Sequence, residues 1–368
     1  MAKILIAGNA VYPTVQARGI IGQAAGHDIY WVSAHPSPHA GVHSYCLPES
    51  FRGSMIKRAV TEPFLVSRAI RQVDPDILHV HHASKAFSAL PLSRKHPLIV
   101  SVMGSDIMPD QAFRGIYKPF IKRLLDSADC ITSKTEYMDK ALLKIGDYQK
   151  KIRRVTWGID LAHFRRDRDV EHLRTQYNID EGDLVLFDPR AATPFYNKHI
   201  ILEAFNQFLK NGGKQAHLIV LTLAPDHRYL ATLQAMAEAF QIRERVHFVD
   251  KLAHEAMADY FALSNVTISI PPSDGFPHTI YEAFACGSFP ILGDLPQYHE
   301  AVEHEKSGYL VPIGQVESLA KAIDWFVDHP EVIRQFKITG REYAKKHADK
   351  DEQTRIMNSI YSDYLRAT

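Results

Sequence analysis

Residues 265–294, NVTISIPPSDGFPHTIYEAFACGSFPILGD, have the pattern of a strand, a short helix and a second strand. The β-branched run 265–272 predicts a strand, and the glycine and proline of 273–278 predict a tight connection. The apolar spacing of 279–288 predicts a helix, which leads into the strand 288–294. Because a strand, a helix and a strand in series form a right-handed crossover, the two strands are expected to be parallel. This unit therefore predicts an α/β fold.

The same alternation of strands and helices runs through the whole chain. Six candidate strands fall in the first half and six in the second, at 3–8, 27–33, 76–82, 98–104, 128–134, 153–158, 184–189, 217–223, 245–250, 265–272, 288–294 and 308–312. Since domains cluster around ~100–200 residues, 368 residues are enough for two cores. The segment 157–176 is charged and lacks a strand pattern, which is typical of a linker. We therefore predict two Rossmann-like, doubly wound parallel-sheet domains, 1–165 and 166–349, that face each other across a cleft, with a helix at about 350–368 that can pack back on the first.

Composition excludes several classes of protein. The 43 Lys and Arg balance 42 Asp and Glu, so no overall positive charge favours nucleic acid as a partner. Cys46, Cys130 and Cys286 are far apart and form no C-x-x-C, which argues against a disulfide framework and a zinc site. No run approaches ~18 apolar residues, and the apolar run at the start is too short for a signal peptide. We expect a cytoplasmic protein.

Two carboxylates flank the predicted turn before the helix in 279–288. Asp274 lies at the carboxyl end of a strand, where ligands of parallel α/β sheets bind, and Glu282 lies in the first helical turn. A helix start offers free N–H groups to a phosphate, and Gly275 lets an anion approach the backbone. The alternatives are structural: Thr279 to Glu282 matches a T-x-x-E capping box, and Asp274 is a common turn residue.

The segment 273–312, SDGFPHTIYEAFACGSFPILGDLPQYHEAVEHEKSGYLVP, closely resembles the donor-site segment of glycosyltransferase family 4. Further similarities lie in DPDILHVHH (74–82), in GSD (104–106) and in KIRRVTWGIDLAHF (151–164), so the resemblance covers nearly the whole chain. It implies a GT-B fold and the transfer of a sugar, with retention of configuration, from a nucleotide-diphosphate donor such as a UDP- or GDP-sugar. The implied acceptor is a hydroxyl of a glycan or lipid-linked glycan in cell-surface polysaccharide or glycolipid biosynthesis. No metal or other cofactor is implied.

The resemblance also implies roles for individual residues. Glu282 would bind the ribose of the nucleotide, and Asp274 would contact the transferred sugar. Arg190 and Lys198 would bind the phosphates, and Asp106 would lie on the acceptor side. The donor-binding loop and helix start, whose backbone amides would surround the sugar and diphosphate, comprise Gly275, Phe276, Pro277, His278 and Thr279.

The sequence departs from the family pattern at several of these positions. Asp274 stands where the family usually has glutamate, which is one methylene longer. Seven residues separate Arg190 from Lys198, whereas the family's usual gap is about four, so a solvated residue at a helix start is the alternative for Lys198. Met103 stands where many members have histidine, and a loop-capping aspartate is the alternative for Asp106.

Three further alternatives concern function. The basic, amphipathic segment 112–125 predicts either a helix that docks on anionic lipid at the inner face of the membrane or a packed surface helix. His79, His81 and His82 invite a metal site, but strand alternation separates His82 from the other two and no third ligand is suitably spaced. A sugar-nucleotide epimerase or hydrolase of the GT-B fold, or a nucleotide- or glycan-binding module without catalysis, are the alternatives to a transferase.

Overall fold

The computed structural model describes residues 1–9, 13–33, 35–36, 43–47, 49, 55–83, 96–108, 118–213, 215–250 and 252–366. The chain divides into two compact units, Met1–Gly158 together with Lys350–Thr368, and Ile159–Asp349. The division therefore falls after Gly158 instead of after residue 165, and the C-terminal helix belongs to the first unit.

The first unit is built on a parallel sheet. Its strands are β1 (Lys3–Ala7), β2 (Asp28–Ser33), β3 (His43–Cys46), β4 (Ile77–His81), β5 (Leu98–Ser101), β6 (Cys130–Ser133) and β7 (Ile152–Arg154). They form one seven-stranded sheet in the order β3-β2-β1-β4-β5-β6-β7. Its described helices are α1 (Pro13–Ala24), α2 (Met55–Val73), α3 (Lys118–Ser127), α4 (Glu136–Ile145) and, at the end of the chain, α12 (Lys350–Arg366).

Apolar side chains cover both faces of this sheet, as a parallel sheet requires. Successive residues of β1 point to opposite faces, so Leu5 belongs to one apolar cluster and Ile4 and Ile6 to another. Met357 and Ile360 of α12 lie in the same cluster as Ile4. The C-terminal helix is therefore part of the core of the first unit.

A buried histidine joins α12 to the sheet. His79 Nδ1 lies 2.7 Å from the Tyr361 hydroxyl, and His79 Nε2 lies 2.7 Å from the Ser101 hydroxyl. His81 is buried beside it, whereas His82 contacts the Ser105 hydroxyl. No group of three His, Cys, Asp or Glu residues in the described parts of the chain is arranged to hold a metal ion.

The helix α3 contains residues 118–125 of the segment 112–125, for which a membrane contact was one prediction. Residues 112–117 lie outside the described part of the chain. Ile121, Leu124 and Leu125 are buried, and Lys122 pairs with Asp126 at 2.8 Å. Within residues 118–125, the aromatic side chain of Phe120 is exposed. The apolar stripe of residues 118–125 is thus core, as in the packed-helix alternative. No helix within the described residues is long and apolar enough to cross a membrane.

The second unit contains the six strands predicted for the second half. They are β8 (Leu184–Asp188), β9 (Ala216–Leu221), β10 (Val246–Val249), β11 (Val266–Ser269), β12 (Phe289–Gly293) and β13 (Tyr309–Val311), in the parallel order β10-β9-β8-β11-β12-β13. Its helices are α5 (Glu171–Tyr177), α6 (Lys198–Lys210), α7 (His227–Ala239), α8 (Met257–Leu263), α9 (His278–Cys286), α10 (Val316–Asp328) and α11 (Pro330–Ala348).

The charged segment predicted as a linker is packed into the second unit. Ile159 and Phe164 are buried, and Arg341 donates hydrogen bonds to the carbonyls of Leu161 and Phe164. The segment is therefore part of the second unit, and its charges do not mark an extended linker.

Acid is expected to destabilise the fold through a buried histidine, His79, and a half-buried one, His247. Burial, followed by the charge of Arg18, lowers the pKa of His79 to about 3. Burial, followed by His217 and two arginines, lowers the pKa of His247 to about 4. An unfolded histidine takes up its proton near pH 6.5, so below this pH the unfolded chain binds more protons than the folded one. As the pH is lowered below 6.5, the free energy of unfolding should therefore decrease by up to ~1.4 kcal/mol per pH unit for each such group.

Urea unfolding between pH 6.5 and 4.5 measures this slope. His247→Gln should make the slope shallower, and the exposed His227→Gln is the matched control. An identical slope in wild type and His247→Gln would contradict the prediction.

Candidate active site

The segments that follow β8 and β11 lie next to each other. The two strands are paired neighbours, with Val266 opposite Leu186, and both end at the same edge of the parallel sheet. Arg190 follows β8 and Asp274 follows β11. Arg190 Nη2 lies 2.8 Å from Asp274 Oδ2, and their side chains are only 13% and 11% exposed. The topology therefore brings together two residues that are 84 positions apart in the sequence.

The helix α9 begins at His278, with Pro277 as its N-cap and no side-chain cap. Thr279 therefore lies inside the helix, and the capping-box alternative for Glu282 is wrong. The Thr279 hydroxyl lies 3.5 Å from Arg190 Nη1. Phe276 before the helix is buried and has a φ of 67°. Since the first N–H groups of a helix have no intrahelical acceptor, Arg190 lies beside a second source of positive potential.

Glu282 is buried, with 3% of its surface exposed. Its Oε1 lies 3.0 Å from Nε2 of His254, whose side chain is 59% exposed. Its carboxylate thus makes a contact with another segment of the same unit instead of the local contact of a capping box. The sequence did not indicate His254, because it lies 28 positions before Glu282.

Asp274 has further contacts that fix its position. The Gln297 side-chain amide donates a hydrogen bond to the Asp274 backbone carbonyl. The Tyr298 hydroxyl faces Asp274, and burial together with this carboxylate raises the pKa of Tyr298 well above its ordinary value. Burial alone would lower the pKa of Arg190, but Asp274 and Tyr196 outweigh it and raise this pKa. Arg190 is therefore a permanent cation.

Lys198 is the first residue of α6 and is completely buried. Its Nζ lies 2.6 Å from Oδ2 of Asp188, the last residue of β8, whose Oδ1 accepts the backbone N–H of Arg190. Burial raises the pKa of Asp188 and lowers that of Lys198, and their mutual attraction opposes both shifts. The solvated alternative for Lys198 is wrong.

Asp106 lies in the first unit and is not among these contacts. Its carboxylate accepts hydrogen bonds from the backbone N–H groups of Ala83, Met103 and Gly104. This is the geometry of the loop-capping alternative. Its assignment to the acceptor side stays a prediction.

A segment of each unit matches a known protein family. Residues 22–163 match the family described as Glycosyltransferase Family 4, and residues 169–343 match Glycosyl transferases group 1. The chain belongs to this family of group 1, family 4 glycosyltransferases. Its fold is accordingly GT-B, and its activity is glycosyl transfer.

Known glycosyltransferases are similar over most of the chain. An N-acetyl-alpha-D-glucosaminyl L-malate synthase of Bacillus anthracis is 22% identical, covering 98% of this chain and 97% of that protein. A GDP-mannose-dependent phosphatidylinositol monomannoside mannosyltransferase of Mycolicibacterium smegmatis is 24% identical, covering 77% and 76%. Among solved structures, the glycosyltransferase of Rickettsia africae has a TM-score of 0.81 at 15% identity and covers 100% of this chain and 99% of its own. HepE of Anabaena, solved with UDP and glucose, has a TM-score of 0.80 at 16% identity, covering 99% and 100%.

The candidate site contains residues that sequence reasoning did not select. Asp188, Tyr196, His254 and Gln297 contact Lys198, Arg190, Glu282 and Asp274 respectively. The long spacing between Arg190 and Lys198 marks the segment that contains Tyr196, but no feature of the sequence indicated that this ring contacts Arg190 or that Asp188 pairs with Lys198.

Proposed function

We propose that this glycosyltransferase transfers a sugar from a nucleoside-diphosphate donor to a hydroxyl of a glycan or lipid-linked glycan, with retention of configuration. The observation that carries the proposal is the Arg190–Asp274 ion pair beside the first turn of α9. A fixed cation and a helix start there suit a diphosphate, and a carboxylate beside them suits a sugar hydroxyl.

The proposed mechanism relies on neutralisation and positioning. As the glycosidic bond breaks, negative charge develops on the departing nucleoside diphosphate. The Arg190 guanidinium and the N–H groups at the start of α9 stabilise this charge, so the proposal requires no metal ion. Glu282 accepts hydrogen bonds from the ribose hydroxyls, and Asp274 accepts them from the transferred sugar.

The comparisons support this choice of donor. HepE was solved with UDP and glucose, and the mannosyltransferase of Mycolicibacterium smegmatis is named as GDP-mannose-dependent. The donor base here is therefore proposed to be uracil or guanine. The names of these relatives also include a malate and a phosphatidylinositol glycoside as products or acceptors, so the acceptor class must be measured.

Thermal unfolding with a panel of UDP, GDP, ADP and their sugar derivatives tests the donor site. A ligand at ~100 times its dissociation constant adds ~2.7 kcal/mol of stability, which raises the unfolding midpoint measurably. We expect a shift with one base only. Without an acceptor, conversion of the donor to an epimeric sugar nucleotide would instead favour the epimerase alternative, and its hydrolysis to nucleoside diphosphate and free sugar would favour the hydrolase alternative. No shift with any nucleotide would contradict the proposal.

Glu282→Gln should weaken binding of the nucleoside diphosphate about tenfold. Replacing the carboxylate with an amide removes a charge-assisted hydrogen bond to the ribose while the side-chain volume is kept. Isothermal titration of the nucleoside diphosphate and of inorganic pyrophosphate separates the two parts of the ligand. Pyrophosphate has no ribose, so its affinity should stay the same. An equal loss for both ligands would contradict a ribose contact.

A further inference from the structure

The segment 191–197, which makes the spacing between Arg190 and Lys198 unusually long, brings an aromatic ring onto Arg190. It contains a 3-10 turn, Pro194–Tyr196. The guanidinium carbon of Arg190 lies 4.6 Å from the centre of the Tyr196 ring, and Arg190 Nη2 lies 3.3 Å from the Tyr196 hydroxyl. This is the geometry of a cation–π contact.

The two terminal nitrogens of Arg190 have different partners. Nη2 is held by the carboxylate of Asp274 at 2.8 Å and lies near the Tyr196 hydroxyl. Nη1 points to the first turn of α9, where its described contact is the Thr279 hydroxyl at 3.5 Å. A contact of this length is weak, so Nη1 retains capacity to donate to a stronger acceptor. One nitrogen is thus fixed, and the other is directed at the helix start.

The segment that supplies Tyr196 is anchored at both ends. The Ala192 N–H donates to the Leu223 carbonyl, and the Asn197 side-chain amide donates to the Ile270 carbonyl at 2.9 Å. Asn197 has a φ of 53°, a conformation that asparagine tolerates, and the chain enters α6 directly after it. Tyr196 is therefore held over Arg190 by the backbone on either side.

Lys198 directly follows the same segment. The Lys198 ammonium lies inside the protein, 2.6 Å from Asp188. This cation is thus already paired with a carboxylate before any donor binds. Of the two cations that flank the segment, Lys198 is therefore buried in an ion pair and Arg190 lies against the ring of Tyr196.

We propose that Tyr196 is a positioning residue of the donor site: with Asp274 it clamps the Arg190 guanidinium so that Nη1 faces the diphosphate at the start of α9. The inference rests on the proposed function. In this arrangement a single braced arginine does the work that the family pattern divides between an arginine and a lysine. Bracing matters because a side chain that is already oriented loses less conformational entropy when the diphosphate binds.

Titration of UDP and GDP into Tyr196 variants tests the clamp. Tyr196→Leu removes both the ring and the hydroxyl, and we expect it to weaken binding about tenfold. Tyr196→Phe keeps the ring and should recover most of the affinity. Phe120→Leu, which changes an exposed ring of the first unit, is the control and should bind as wild type does. In an Arg190→Ala background, Tyr196→Leu should have no further effect, because its action passes through Arg190.

Results that differ from these expectations contradict either the clamp or the proposed donor. An unchanged affinity of Tyr196→Leu, or an equal loss in the presence and absence of Arg190, contradicts the clamp. If wild type binds neither UDP nor GDP, the proposed donor is wrong. A double-mutant cycle of Arg190→Ala and Tyr196→Leu in urea unfolding then still measures the contact without nucleotide. Additive effects in that cycle contradict the clamp independently of any donor.

Discussion

Arg190→Ala is expected to lower kcat/KM by about 100-fold or more while the protein stays folded. The guanidinium lies 3.5 Å from the Thr279 hydroxyl in the first turn of α9, and it would face the diphosphate on which charge develops as the sugar leaves. Removal of one fixed donor to such a developing charge costs ~3 kcal/mol in other enzymes. Arg190→Lys should recover only part of the rate, because an ammonium lacks the planar fork that holds Asp274 and a phosphate together. Steady-state kinetics with the donor from the nucleotide panel measures both variants.

A matched control and a stability measurement make this result specific. Arg228→Ala removes an exposed arginine on α7 and should leave kcat/KM unchanged. Arg190→Ala also leaves Asp274 without its partner at 2.8 Å, so the free energy of unfolding must be measured beside the rate. A variant that is fully folded and turns over at more than a tenth of the wild-type rate would contradict the phosphate role of Arg190.

Much of the fold could be predicted from the sequence because its signals are local. Most of the strands are short buried runs rich in β-branched residues, and twelve of the thirteen described strands lie in or overlap segments that the sequence predicts as strands. The strand β3 gave no such signal, because His43 and Ser44 are exposed and it lies at the edge of its sheet. The sequence did not predict the division after Gly158, for a different reason. The charges of residues 165–169 are typical of a linker, whereas the buried Ile159 and Phe164 that decide the packing are only two residues.

The candidate site was predictable where a role belongs to a single residue and not where it depends on a pair. Asp274, Glu282 and Arg190 were selected by resemblance, and the structure brings Arg190 and Asp274 into contact. Lys198 was selected by the same resemblance, although its local context, NKH at a helix start, favours exposure. Only the tertiary structure places Asp188 next to it. Tyr196 needs the 3-10 turn to reach Arg190, and nothing in its neighbours specifies where that turn points.

Lys198→Met should lower the free energy of unfolding by about 3–5 kcal/mol, because it leaves the carboxylate of Asp188 buried without its cation. Asp188→Asn should cost a similar amount, since it leaves the ammonium with a neutral partner. The double variant should be more stable than either single variant, because no unpaired charge remains and the introduced amide oxygen can still accept the N–H of Arg190. Urea unfolding of the four proteins measures this cycle.

The dependence on pH distinguishes a buried unpaired charge from a simple loss of packing. Burial raises the pKa of Asp188, and in Lys198→Met the attraction that opposes this shift is absent. The folded variant then takes up a proton at a higher pH than the unfolded chain does, so its deficit relative to wild type should shrink as the pH falls from 7 to 5. A deficit that is constant over this range would indicate lost packing alone.

Turnover of the double variant decides the role of Lys198. If the lysine serves to hold the end of β8 against the start of α6, Lys198→Met with Asp188→Asn should keep kcat/KM within about tenfold of wild type, because Arg190, Tyr196 and Asp274 keep their contacts. If Lys198 binds a phosphate, the loss should approach the ~100-fold expected of Arg190→Ala even though stability has been recovered. We expect the first result, because a cation with no exposed surface and a carboxylate 2.6 Å away is already neutralised before any donor binds.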